Sequence, residues 1–319
     1  YLALEDYEDG DGNGHNTAVG ARSQREATTG EFNTSLGSLS MGVGVVTGDA
    51  NVAVGYNAGS ALTSGIKNIL IGKDAGDSLT EGNFNIVIGT DALQTEDTHG
   101  KNIAIGHAAL ELLNAGADAY NVAVGFNSGK TISTGIRNVL IGGLAGDALT
   151  TGSSNIAIGH QALSTEDAHG LNIAIGHNAL ASQNVGADAY NVAIGHFAGE
   201  DITTGVRNVI IGGLAGDALT SGAYNTALGH GALSSEDAHG KNVAVGYQAL
   251  VAQDAGADAY NVAVGFEAGH DVTTGDQNTL IGGAAGDALT EGDNNVAVGA
   301  FALSAETLGD RNVAVGRGA

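Results

Sequence analysis

Cysteine, proline and tryptophan are absent from the chain, and only 11 of its 319 residues are Lys or Arg. Without cysteine there is no disulfide framework to staple a small fold. With 35 acidic residues and a formal charge of −24, the surface repels phosphates and anionic lipid, which excludes nucleic acid as a partner. No stretch approaches the roughly 18 apolar residues of a membrane-spanning helix, and no secretion signal opens the sequence, so membrane insertion is not expected. Because the sequence starts at Tyr1 instead of Met, it is expected to be processed or a fragment. Aromatics are 4% of the residues, and the apolar content is mostly Ala, Val, Ile and Leu, so any core is thin.

What the chain has in abundance is glycine, 53 residues of it, and a repeat. The segment NVAVGYNAG at 51–59 returns as NVAVGFNSG at 121, NVAIGHFAG at 191 and NVAVGFEAG at 261, each copy 70 residues after the last. Within each 70-residue period lie four shorter rungs, led by asparagines such as Asn51, Asn68, Asn85 and Asn102, then Asn121, Asn191 and Asn261 at later levels. Each of 18 such asparagines, from Asn16 to Asn312, is followed four residues later by glycine, as at Gly55, Gly125, Gly195 and Gly265. Rung lengths run mostly 17, 17, 17 and 19 residues.

The pattern Asn-Val-Ala-Val-Gly has period two, so Val52 and Val54 share one face of a short strand. That aliphatic face is predicted to be the core. The opposite face carries Ala53 and its equivalents, which become Leu70, Leu140, Ile210 and Leu280 once per 70 residues. These larger residues, predicted to point outward, offer a strip for association. HAALELLNAG at 107–116 reads as helical.

One rung cannot bury its own apolar face, so rungs must stack with strands paired in parallel. The predicted fold is mostly β: a β-solenoid, or β-roll, of about 18 coils of 17–19 residues with short helical turns, assembled as a homotrimeric rod. Residues 1–15, acidic and glycine-rich, read as a lead-in or linker, and 16–319 as the repeat domain. Repeated asparagine can run an amide ladder along the axis, and repeated glycine permits positive φ or close backbone approach. The last rung stops midway with no cap, which predicts either further chain or end-to-end stacking of subunits.

The rung resembles the head repeats of trimeric autotransporter adhesins, whose β-rolls associate in threes. Closer still are the repeat arrays of bacteriophage tail fibres, matched by NTAVG at 16–20 and NTALGHGAL at 225–233. The resemblance runs from about residue 16 to the end. It implies a virion tail fibre or an extracellular, cell-surface location, and a structural shaft that positions receptor binding. An adhesin head holding a surface glycan is the alternative, as is a subunit of a stacked extracellular filament. The coils are longer than the adhesin repeat, and Ala-Gly or Ala-Leu stands where serine is common there.

Motifs with chemical potential are few. VGFNSGKT at 124–131 looks like a phosphate loop, but Gly125 is one residue too close and the aligned rungs have no lysine, so it reads as a structural corner. No unrepeated carboxylate pair stands out, so no enzyme activity and no catalytic residue are expected. Glu96, Asp97 and His99 recur as Glu166, Asp167 and His169, and as Glu236, Asp237 and His239. Each trio reads either as a solvated polar turn or as a weak divalent-cation site, the one cofactor considered. His107, His160, His177, His196 and His230 follow rung glycines and can form a ladder on an edge. Tyr120, Tyr190 and Tyr260 end the GADAY insertions of the longest rungs, where they either pack the insertion or contact a glycan.

Overall fold

The structure is a computed structural model that describes Ala3, Leu4 and residues 14–319. The lead-in predicted over residues 1–15 lies almost wholly outside the described residues. Among the described residues, 18 strands of three residues each run from Thr17–Val19 to Val313–Val315, and none of the remaining chain is helical. The chain is a mostly-β parallel solenoid of about 18 turns, and it divides into two compact units, Tyr1–Ala157 and Ile158–Ala319.

In the first unit, eight strands from Thr17–Val19 to Val139–Ile141 pair in parallel and in order, with no register offset. Val52, Ala53 and Val54 thus stand opposite Ile69, Leu70 and Ile71. In the second unit the nine strands from Ile173–Ile175 to Val313–Val315 do the same.

The structure reverses the predicted strand faces. Ala53 is fully buried, whereas Val52 and Val54 are half-buried, and the same in-out order holds in turn after turn. Leu70, Leu140, Ile210 and Leu280, predicted to point outward, are fully buried. They are core and form no association strip. The reason lies in the bend glycines of the same turn and of the turn before. A Cβ added at Gly76 would sit 3.0 Å from Leu70 Cδ2, and one at Gly59 would collide with Leu70 Cδ1. Leu140 is fitted in the same way between Gly129 and Gly146, and Leu280 between Gly269 and Gly286. Where the strand supplies only Ala104, the bend supplies Leu93 and Leu110 instead, both fully buried. The 70-residue period is therefore a volume alternation: a leucine on one strand fills the space over the bend glycines of its own turn and the turn before, and the turns with leucine in the bend carry a smaller residue on the strand.

The helical turns predicted at 107–116 are also absent. Ala109 N–H reaches Gly106 O at 3.3 Å and Leu113 N–H reaches Leu110 O at 3.2 Å, but these are isolated bends. Ala108 and Leu110 have φ of 53° and 51°, a left-handed geometry that a right-handed helix cannot pass through.

Candidate functional site

Three features of the repeat carry chemistry: the asparagine column inside, the outward sheet face with its flanking columns, and the Glu-Asp-x-His corners.

The asparagines from Asn33 to Asn295 are buried and link successive turns. Asn51 Oδ1 accepts the backbone N–H of Asn68 at 2.9 Å and its Nδ2 at 3.1 Å, while Asn51 Nδ2 donates to Gly65 O across its own turn at 2.8 Å. Asn68, Asn121, Asn191 and Asn261 bridge their turns in the same way, to Gly82 O, Gly135 O, Gly205 O and Gly275 O. Asn85 reaches His99 O at 3.4 Å, and Asn102, which opens a longer turn, reaches Gly100 O at 3.2 Å. Each amide thus satisfies groups that would otherwise be buried without partners. Gly55, Gly125, Gly195 and Gly265 have φ between 138° and 150°. A Cβ on Gly55 would fall on the carbonyl oxygen of Gly72, so the corner closes only with glycine.

The half-buried Val and Ile of the strands face outward in two columns. Before each anchor stands a third column, which holds six of the 11 cationic side chains: Lys67, Lys101, Arg137, Arg207, Lys241 and Arg311. Aromatic rings occupy other levels of it. Lys101 Nζ lies 5.0 Å from the centroid of Tyr120, donates to its hydroxyl at 2.9 Å and pairs with Asp118 at 2.7 Å. Lys241 repeats this with Tyr260 and Asp258. The lysine hydrogen bond holds Asp118 and Asp258 below the ordinary carboxylate range. At Tyr190 the preceding turn carries Leu171 instead of lysine. One face of Tyr120 and of Tyr260 is therefore covered by an ammonium, which restricts sugar stacking there to the other face.

A fourth column follows the rung glycine. His160, His177 and His196 stack there with centroids 5.5 and 5.2 Å apart, and His230, Tyr247 and Phe266 stack at 5.7 and 5.3 Å. His107 stacks on Phe126 at 5.3 Å. In the second unit the sheet face is thus aliphatic in the middle, with rings along both borders.

No protein-family model, curated protein or solved structure matches the chain. The repeat geometry is what bears on function.

At the three corners, ligand-capable atoms of Glu96, Asp97 and His99, of Glu166, Asp167 and His169, and of Glu236, Asp237 and His239 lie within 4.8 Å of one another. The glutamates are fully buried, in the inward position that Leu62, Leu79, Leu149 and Leu219 hold in other turns. Sequence reasoning offered a solvated turn or a weak cation site, and burial of the glutamates removes full solvation of the turn. The signal that could have located them is their alignment, 11 residues after the anchor, with these leucines. One oxygen of each accepts the N–H of the histidine three residues on, at 3.1 Å. Glu306 bonds its own turn likewise, to Gly309 N–H at 2.8 Å, without a histidine. The glutamate therefore has a structural task, closing the corner, that is independent of any cation.

Among the described residues no helix is long and apolar enough to cross a membrane. At 124–131, Gly129 packs against Leu140 and Lys130 Nζ pairs with Glu111 at 3.4 Å. The lysine is engaged by a carboxylate of the preceding turn.

Proposed function

We propose that this chain is a structural segment of an extracellular fibre, of the phage tail fibre shaft kind, in which three copies associate through their outward sheet faces. The observation that carries the proposal is the pair of mostly aliphatic columns, with threonine at four strands, left partly exposed on the strands, such as Ile69 and Ile71 beside Val52 and Val54. Soluble surfaces rarely leave such an apolar strip uncovered. Over the six strands from Val52–Val54 to Val139–Ile141 alone, two aliphatics per turn provide on the order of the ~800 Å² per partner that a specific interface buries. A second copy of the same chain fits by composition, since its own strip is the equally long and equally apolar surface that can cover this one.

Repetition supports the structural assignment. The corners recur at 70-residue intervals, whereas catalysis needs one asymmetric cleft. The same reading places the protein on a virion tail or a cell surface, where the shaft positions a receptor-binding element. Native mass spectrometry tests the assembly: a mass of three chains is expected, and a monomer at micromolar concentration overturns it. The adhesin reading rests on the ring-bordered sheet face. A glycan array tests it, with specific binding lost in Tyr190→Ala favouring an adhesin, and no binding at any glycan favouring the shaft.

A further inference from the structure

The three Glu-Asp-x-His corners share a sequence but not a hydrogen-bonding state. At the first, Glu96 Oε2 accepts the N–H of Ala115 at 3.3 Å, and the hydroxyl of Thr98 meets His99 Nδ1 at 3.0 Å. At the second, Glu166 Oε2 accepts Gln183 Nε2 at 3.3 Å. At the third, Gln253 Nε2 turns away to Thr273 O at 3.1 Å, and residue 238 is alanine in place of threonine. Glu236 Oε2 and His239 Nδ1 are consequently both buried atoms without a hydrogen-bond partner. A fully buried carboxylate with one oxygen unpaired, beside an unpaired imidazole nitrogen in the same corner, is costly, and a cation bound by the two side chains lowers that cost.

We propose that Glu236, Asp237 and His239 form a site for a divalent metal ion of the zinc class. His239 Nδ1 lies 3.7 Å from Glu236 Oε1. Bonds of about 2.1 Å from one ion to each atom span that gap at an angle of about 120°, close to what a tetrahedral ion takes. The ligand-capable atom of Asp237 lies within 4.8 Å of both, so a third protein ligand is in reach and a fourth position is left for water. Thr220 holds the corner's backbone through its N–H and hydroxyl, which donate to Asp237 O at 2.5 and 2.9 Å. One imidazole with two carboxylates favours zinc over calcium or magnesium, which take six or more oxygens. The site is independent of the fibre assignment, because all three residues belong to one corner of one chain.

Isothermal titration of the full chain with zinc chloride at pH 7.4, in millimolar magnesium to occupy the diffuse acidic surface, tests the proposal. Saturable zinc binding is expected, at least tenfold weaker in His239→Ala and unchanged in its tightest component in His99→Ala. The histidine side chain is about 30% exposed, and the equivalent corner residue is Gly309 in the turn led by Asn295, so replacement is compatible with folding. His239→Gln serves as a second variant, and retained far-UV circular dichroism qualifies either one. No saturable zinc binding, or equal affinity in both His239 variants, overturns the site.

Discussion

At the residue scale the fold depends on side chains that tolerate unusual backbone. The turns led by Asn33 to Asn295 hold non-glycine residues in the left-handed region directly before the anchor and again in the bend, for example Ala50 at φ 57° and Asn57 at 60°. None of the left-handed residues is Val, Ile or Thr, although Val and Ile fill the strands. Branching at Cβ makes this geometry costly, and the sequence avoids it. Exposed Ala50→Gly is expected to stabilise by about 0.5–1 kcal/mol and Ala50→Val to destabilise by about 1–2 kcal/mol, both read by urea denaturation. Asn68 acts differently, through bonds instead of dihedrals. Its removal as Asn68→Ala leaves the N–H of Asn85 and the carbonyl of Gly82 buried without their side-chain partner. A loss of about 2–5 kcal/mol is expected in the same assay, and a loss below about 1 kcal/mol would mean that water enters the turn.

At the scale of the element, the period of the strands was legible and their phase was not. Alternation in NVAVG identifies a strand, but both of its faces are apolar, and hydrophobicity ranks Val above Ala as the inward residue. What sets the phase is the width of the coil, which fits leucine on a strand only where the bends of its own turn and the turn before carry glycine, and a smaller strand residue where the bend carries leucine. The co-occurrence of Leu70 with Gly59 and Gly76 was present in the sequence, but its meaning required knowing that these positions meet. Inward Leu140→Ala is therefore expected to cost about 2–5 kcal/mol by denaturation. Outward Val122→Ser with Val124→Ser is expected to change the stability of the single chain by less than about 1 kcal/mol and to weaken self-association, read by analytical ultracentrifugation. Equal effects on stability from the two would return the strand to the opposite phase.

At the scale of the whole molecule, charge and burial set the response to pH. Asp77, Asp217 and Glu236 are raised above the ordinary carboxylate range, in each case chiefly by burial. A raised carboxylate binds its proton more readily folded than unfolded, so these groups add stability as pH falls from neutral towards about 4. Asp118 and Asp258 are lowered and act in the opposite direction, but they are exposed to solvent and count for little. The melting temperature of the unaltered chain is expected to rise between pH 7 and pH 5 relative to that of the triple variant Asp77→Asn, Asp217→Asn, Glu236→Gln. A parallel response of the two proteins would show that burial is not what shifts these groups.

The amino-acid sequence by itself determined that the chain is a parallel stack of turns, because an asparagine, a strand and a glycine recurring at a fixed pitch have only their neighbours to pair with. It also marked the three polar corners by their repetition. Tertiary structure alone decided which way each strand faces, that the periodic leucines are core, and that a glutamate occupies a leucine's place in the interior. These outcomes depend on the volume left between residues of successive turns, a three-dimensional quantity that no linear pattern of hydrophobicity contains.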